Sequence, residues 1–138
     1  MILFLVLFSI ISFKLPKQAQ SKVILDGKTF SVQIANTDIL RQMGLSLRDS
    51  LKEDEGMLFV FQKLDKYGFW MKDMKFPIDI LWIGSDFRVI HIEKSLSPST
   101  YPKVFYSETP AVYVLEVSAG QSDQIGVKIG DNVQFIDI

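Results

Sequence analysis

Apolar residues recur from residue 22 onward in short runs separated by turn residues, and these runs set the predicted architecture. In residues 29–35 apolar Phe30, Val32 and Ile34 alternate with polar residues, which indicates a strand with one buried and one wet face, whereas the continuous apolar run 57–61 indicates a buried strand. The predicted strands are residues 23–25, 29–35 and 57–61, two strands within 68–83 that break at 75–77, and residues 87–93, 111–118 and 133–136. About eight short strands predict a mainly β fold, either a sandwich or a closed barrel.

Turn and cap residues mark where several of these elements begin and end. Asp26-Gly27 is a pair that favours a type I′ turn, so the strands on either side of it are expected to form a hairpin. Residues 36–38 offer side-chain caps before the apolar residues of 39–43, and Gly44 is placed to end a short helix there. The pattern therefore predicts one helix directly after the first hairpin.

The apolar pattern of this short helix predicts where the side chain of Arg41 lies. Ile39, Leu40 and Met43 are assigned to its inner side, facing the sheet. That assignment places Arg41 on a flank of the helix, from which its side chain reaches over the sheet edge.

Three further segments are predicted as loops. Residues 45–54 and 62–67 connect strands, and residues 94–110 contain three prolines, which is too many for regular structure. Residues 119–126 read as a single helical turn ended by glycine, so the fold is β-rich with one or two short helical turns.

Residues 68–83 hold both tryptophans of the chain and two acids within apolar runs. From residue 78 to 83 every residue except Asp79 is a large hydrophobe, so a strand there is apolar on both faces. Glu116 stands in the same situation in a later strand. Because an ionised carboxylate with little water around it is costly unless paired, we expect these acids to have partners, with Arg41 as the cation that contacts Asp79.

The N-terminal residues form an apolar segment with a different role. Residues 1–13 are apolar apart from two serines. As a helix they would span roughly 20 Å against the roughly 30 Å of a hydrocarbon core, so a signal peptide is favoured over a full transmembrane span. The signal-peptidase cleavage site is weak, so the alternative is an uncleaved anchor that contacts the membrane through residues 1–13. We therefore predict a signal peptide or membrane anchor with its link at 1–21, one β-rich domain at 22–138, and a protein outside the cytoplasm, secreted or anchored.

Composition excludes several classes of function. The formal net charge is −1 and the basic residues form no cluster, which argues against a nucleic-acid partner. With no cysteine and a single histidine, disulfides, thiolate sites and multi-histidine metal sites are all impossible. We expect neither a metal nor a cofactor, and His91, in the middle of an apolar strand, is expected to be a packed or rim residue.

The order of six short motifs resembles one known family, called domain of unknown function 192, which occurs in bacteria and archaea. The motifs are Arg41-Gln42-Met43-Gly44-Leu45, Gly56-Met57-Leu58-Phe59-Val60-Phe61, Phe69-Trp70-Met71-Lys72-Asp73-Met74, Pro77-Ile78-Asp79-Ile80, Tyr113-Val114-Leu115-Glu116-Val117 and Gly130-Asp131. The resemblance covers roughly residues 30–135 and implies a compact, jelly-roll-like β fold, often carried behind a secretion leader or membrane anchor. It implies no assigned activity. Many members read Trp-Met-Lys-Asn-Thr where this chain has Asp73 and Met74, so a role that needs a neutral amide or hydroxyl there does not carry over.

The candidate ligand-binding residues are Arg41, Trp70, Asp73, Asp79 and Glu116. We hypothesise that they converge at one end of the sheet in a cleft that binds a small polar ligand. An aromatic ring beside paired polar groups is a common way to hold sugars and carboxylates. On this reading the protein is an uncharacterised binding or accessory module.

Other interpretations of the same residues stay open. Arg41 and Asp79 could form a purely structural ion pair between the helix and the sheet. Two of Asp73, Asp79 and Glu116 could act as acid and base in a hydrolase for a saccharide-like substrate, although no nucleophile motif accompanies them and no catalytic residue is assigned. A protein-binding scaffold that uses residues 94–110 is the third alternative.

Overall fold

A computed structural model describes residues 20–138, in which strands dominate. Nine strands, two short α-helices and one 3-10 turn follow one another in these residues. In chain order they are β1 Lys22–Leu25, β2 Lys28–Ala35, α1 Asp38–Met43, β3 Glu55–Asp65, β4 Phe69–Trp70, β5 Ile78–Ile83, β6 Val89–Leu96, the 3-10 turn Pro98–Thr100, β7 Val104–Phe105, β8 Ala111–Ser118, α2 Gln121–Ile125 and β9 Val133–Ile136. The predicted mainly β fold with short helical turns is confirmed.

Seven of the strands form one curled sheet, in the order β6-β5-β8-β3-β2-β1-β9. Neighbouring strands are antiparallel, except that β2 and β3 are parallel. The two edges of the sheet approach each other where Arg88 bridges to Asn132 and where the Val133 amide donates to the Phe87 carbonyl at 2.8 Å. The sheet is therefore a half-barrel, and β4 and β7 form a separate two-stranded sheet beside it.

Each face of the half-barrel packs against its own apolar cluster. On the face that α2 adjoins, called here the α2 face, the cluster includes Val23, Leu25, Phe30, Leu58, Leu81, Leu115, Val117 and Val127. On the opposite face, called here the loop face, it includes Leu45, Met57, Phe59, Met71, Ile80, Trp82, Phe105 and Val114. Because β5 is covered on both faces, all six of its residues are buried, as its apolar sequence predicts.

The predicted turns and caps of the first elements are confirmed. Asp26 and Gly27 both have positive φ, 47° and 79°, which is the backbone of a type I′ turn, and β1 and β2 pair across it. Thr37 caps α1 through its hydroxyl, which accepts from the Leu40 amide at 3.3 Å, and Gly44 ends the helix.

The predicted orientation of α1 is wrong. Ile39 is 71% exposed, Leu40 40% and Met43 41%, and no residue of α1 is buried. The residue that turns toward the sheet is Arg41, whose guanidinium reaches the Val60 carbonyl where the β3–β8 ladder becomes irregular. A helix of a single turn or two has too little apolar surface to fix its own orientation, so one strong hydrogen bond decides it.

Two of the predicted loops contain more regular structure than expected. Residues 62–65 continue β3 past an irregularity in its ladder, instead of forming a loop. Within 94–110, β6 extends to Leu96 and the short strand β7 pairs with β4. The prolines interrupt this segment without preventing pairing between them, because each removes only its own amide donor.

The predicted leader at 1–21 lies almost entirely outside the described residues. Within 20–138 no helix has the length and apolar character needed to cross a membrane.

Candidate functional site

A solvent-open cavity of about 550 Å³ lies on the loop face of the sheet. One wall is α1 with the turn that follows it, and the opposite wall is the segment from Tyr67 to Met74. Of the five candidate residues, four line this cavity: Arg41, Trp70, Asp73 and Glu116. Asp79 is not among the lining residues.

Glu116 lies at the base of the cavity. Its side chain is on the loop face, since its cross-strand neighbours are Met57 and Ile80, and it is only 5% exposed. Its Oε2 is buried without any hydrogen-bond partner. Desolvation by burial raises the pKa of the Glu116 carboxyl to about 8, so at neutral pH it is mostly the neutral acid.

Arg41 forms part of the rim and is held in place by three contacts. Its Nη1 donates to the Val60 carbonyl at 2.7 Å and its Nη2 pairs with Asp38 Oδ1 at 2.8 Å. The guanidinium also lies over the Phe61 ring, 5.2 Å from its centroid. The predicted contact between Arg41 and Asp79 is therefore wrong.

Asp79 is fully buried, as predicted, but its partners are backbone amides. Its Oδ1 accepts from Ser95 at 2.8 Å and from Gly120 at 3.2 Å, and its Oδ2 accepts from Ser122 at 2.8 Å. Three such donors stabilise the carboxylate without any cation. Since Asp79 pairs across the strands with Val117, it faces the α2 face, on the other side of the sheet from Glu116. The expected convergence of the two acids is therefore wrong.

Trp70 and Asp73 lie on the wall opposite α1. Trp70 is 47% exposed, its ring centroid is 5.3 Å from that of Tyr101, and Lys72 Nζ lies 5.6 Å from its ring. Asp73 is exposed and has a positive φ of 56°, a conformation that aspartate tolerates better than most residues. Both side chains are therefore available to a molecule in the cavity.

Sequence reasoning missed part of the aromatic wall. Phe61 and Tyr67 stack with their centroids 3.5 Å apart, and Phe69 packs edge-on against Phe59 at 4.9 Å. All four line the cavity, and none of them was among the five candidate residues. Tyr67 directly before Gly68 was the available signal, because glycine beside aromatic residues indicates close approach.

His91 and Glu93 lie outside this cavity. His91 packs against Trp82 and lies 3.0 Å from Glu93, which agrees with the expected packed or rim position. In the part of the chain that the structure describes, no three His, Asp or Glu side chains are grouped closely enough to hold a metal ion. The lining side chains offer hydrogen bonding, aromatic contact and, at Lys72 and Asp73, exposed charges of both signs.

Two solved structures are similar to this chain in sequence and in fold. A crystal structure of a protein of unknown function from Novosphingobium aromaticivorans DSM 12444 superposes with a TM-score of 0.77 at 31% identity, covering 83% of each chain. A putative transcription regulator from Sinorhizobium meliloti 1021 gives 0.76 at 32% identity, covering 84% of this chain and 92% of its own. None of the curated proteins matches this sequence.

One family accounts for nearly all of the described residues. Its model, described as DUF192, Uncharacterized ACR, matches residues 21–135. This range includes every strand of the half-barrel except the last residue of β9. The chain therefore belongs to the DUF192 family.

Proposed function

We propose that this protein is a binding module outside the cytoplasm, exported or tethered by its N-terminal segment, and that its cavity holds a small uncharged ligand rich in hydroxyl or carbonyl groups, such as a saccharide. The observation that carries this proposal is the unpartnered Oε2 of Glu116 at the base of the cavity. Buried polar atoms are nearly always hydrogen-bonded, so one left free beside an open cavity is suited to a ligand.

The protonation of Glu116 selects the kind of ligand. A neutral carboxyl donates one hydrogen bond and accepts others, which matches hydroxyl and carbonyl groups. A charged ligand would lose its hydration beside an apolar base without meeting an opposite charge there. Two cations line the cavity: Arg41 is already occupied by Val60 and Asp38, and Lys72 is exposed to water beside Trp70 on the wall.

The walls support the same ligand class. Trp70, Phe61 and Tyr67 line the cavity and offer ring faces or edges to the apolar side of a sugar ring. The volume of about 550 Å³ lies within the range of small-molecule pockets, roughly 300–1,000 Å³.

Titration calorimetry tests this proposal with the full chain in a mild detergent. The probes are monosaccharides and their methyl glycosides, with acetate and benzoate as charged comparators. We expect saccharide binding that weakens about tenfold or more in Trp70→Ala and in Glu116→Leu. Phe87→Ala is the matched control, because this ring is similarly exposed but packs against Tyr113 on the α2 face. Binding of the carboxylates alone, or of no probe, would overturn the proposal.

A saccharide hydrolase is the second candidate, because two of the three carboxyl groups that line the cavity, the buried Glu116 and the exposed Asp73, are not paired with Arg41 as Asp38 is. Hydrolases of this class use one acid and one base at such a site. Asp79 is excluded from this role, since its oxygens are taken by backbone amides. The test is whether the protein releases nitrophenol from nitrophenyl glycosides. Release by the wild type that disappears in both Asp73→Asn and Glu116→Gln would favour the hydrolase over simple binding.

A further inference from the structure

Exposed apolar side chains surround the mouth of the cavity on both sides. We call them the mouth patch: Ile39, Leu40, Met43, Leu47, Trp70, Tyr101 and Val104. The two sides meet at the cavity, since Met43 and Trp70 both line it, and Trp70 pairs with Val104 and contacts Tyr101. Single exposed apolar residues are ordinary, but several of them on the elements that form both walls of one cavity mark an interaction surface.

The composition of the mouth patch fits a lipid surface. Tryptophan and tyrosine are enriched where proteins meet the headgroup region of a bilayer, and lysines beside them extend toward the water. Here Lys72 lies over Trp70, and Lys103 lies 4.7 Å from the Phe105 ring in the adjacent strand. Ile39 and Leu47, at 71% and 73% exposure, are aliphatic groups suited to deeper contact.

The first described residues of the chain lie on the same side. Lys22 pairs with Ser31, and the Val32 amide donates to the Ser21 carbonyl, so the described chain begins alongside the second half of β2. That half ends at Ala35, immediately before α1. The chain therefore enters the domain beside the mouth patch.

The length of the link restricts how far this domain stands from residues 1–13. Residues 14–21 reach at most about 28 Å when fully extended. A compact domain of this size is about 35 Å across. If residues 1–13 lie in a membrane, the domain is held against it, and the face beside the chain entry is the one that meets the lipid.

From these observations we propose that the mouth patch lies against a phospholipid bilayer, so that the cavity opens at the membrane interface. This inference rests on the tethering in the proposed function and is independent of what the cavity binds. The energy comes from withdrawing Ile39, Leu47 and their neighbours from water, while Trp70 and Tyr101 lie among the headgroups.

Fluorescence quenching in vesicles tests the proposal. The full chain is reconstituted into phosphatidylcholine vesicles with and without brominated acyl chains, and flotation first shows whether it is bound. The chain has two tryptophans, and Trp82 is fully buried, so we expect bromine to remove only the Trp70 share, up to about half of the emission. Trp70→Phe should abolish the quenching and leave the Trp82 emission intact.

Two variants identify the face that meets the lipid. The double variant Ile39→Asp, Leu47→Asp changes exposed residues only and should reduce the quenching severalfold while the chain still floats. Ile129→Asp is the matched control, because Ile129 is 66% exposed and lies two residues before Asp131, which contacts Asp26 at the far end of the β1–β2 hairpin. Quenching should be unchanged in this control.

Three outcomes would overturn the inference. A chain that floats with unquenched Trp70 would show that tethering holds and that another face meets the lipid. Equal loss of quenching in the double variant and in Ile129→Asp would show that the mouth patch is not the surface that contacts the lipid. A chain that does not float would refute tethering and this inference together, while leaving saccharide binding to be judged by calorimetry.

Discussion

Replacing Glu116 by glutamine should change how the stability of the protein depends on pH. Burial raises the pKa of Glu116 from an ordinary 4.5 to about 8, so the folded state holds a proton that the unfolded chain releases near pH 4.5. Below about pH 4.5 the Glu116 carboxyl is protonated in both states, and the stability of the fold does not depend on its titration. The free energy of unfolding then falls as the pH rises from 4.5 toward 8, and above about pH 8 it no longer changes with the ionisation of Glu116. Glutamine is uncharged at every pH and resembles the protonated acid in shape.

The size of the effect follows from the pKa difference. A pKa moved from 4.5 to about 8 corresponds to roughly 5 kcal/mol of unfolding free energy. Between pH 5 and pH 8 the wild type should lose roughly 3 to 4 kcal/mol relative to Glu116→Gln. The comparison isolates Glu116, because all other titrating groups are common to both proteins.

Urea unfolding of the full chain at several pH values measures this difference. Glu108→Gln makes the same chemical change at an exposed position and is the matched control for the loss of one carboxyl group. Parallel curves for wild type and Glu116→Gln, differing by less than about 1 kcal/mol over this range, would refute the reasoning. They would mean that water reaches the Glu116 carboxyl freely.

Three further substitutions test the packing around the site by urea unfolding at fixed pH. Asp79→Asn should destabilise the protein by roughly 3 to 5 kcal/mol, because the NH₂ group of the new asparagine would face backbone N–H groups that need an acceptor. A loss below about 1 kcal/mol would contradict the three backbone hydrogen bonds to Asp79. Gly56→Ala should cost roughly 1 to 3 kcal/mol, since the added Cβ would lie 2.7 Å from the Glu116 carbonyl oxygen, and an unchanged midpoint would show that β3 and β8 separate easily. Thr37→Ala should cost about 1 kcal/mol by removing the cap of α1, with Thr37→Ser as the matched control that keeps the hydroxyl.

Much of the fold was readable from local pattern. The hairpin at Asp26-Gly27 and the strands β5, β8 and β9 were predicted with the bounds that the structure shows, because a period of two and strong turn residues act over a few positions. The extension of β3 and the pairing of β4 with β7 were missed. Both depend on a partner strand distant in sequence, which local pattern does not reveal.

The candidate site was predicted in part. Arg41, Trp70, Asp73 and Glu116 do line one cavity, while Asp79 accepts amides from Ser95 of β6 and Ser122 of α2 on the other face. The error came from reading two buried acids as one cluster. Adjacent strands place them in successive cross-strand rows, and successive rows face opposite sides of the sheet.

The sequence by itself determined that Asp79 and Glu116 are buried, because apolar neighbours within a few residues leave them little water on either face. Only the tertiary structure decided what each acid meets. Asp79 receives amides from three positions far along the chain, Ser95, Gly120 and Ser122, whereas Glu116 keeps one oxygen free beneath a cavity. Burial follows from local composition, but the partner of a buried group depends on strand register and loop closure, which bring distant backbone into reach.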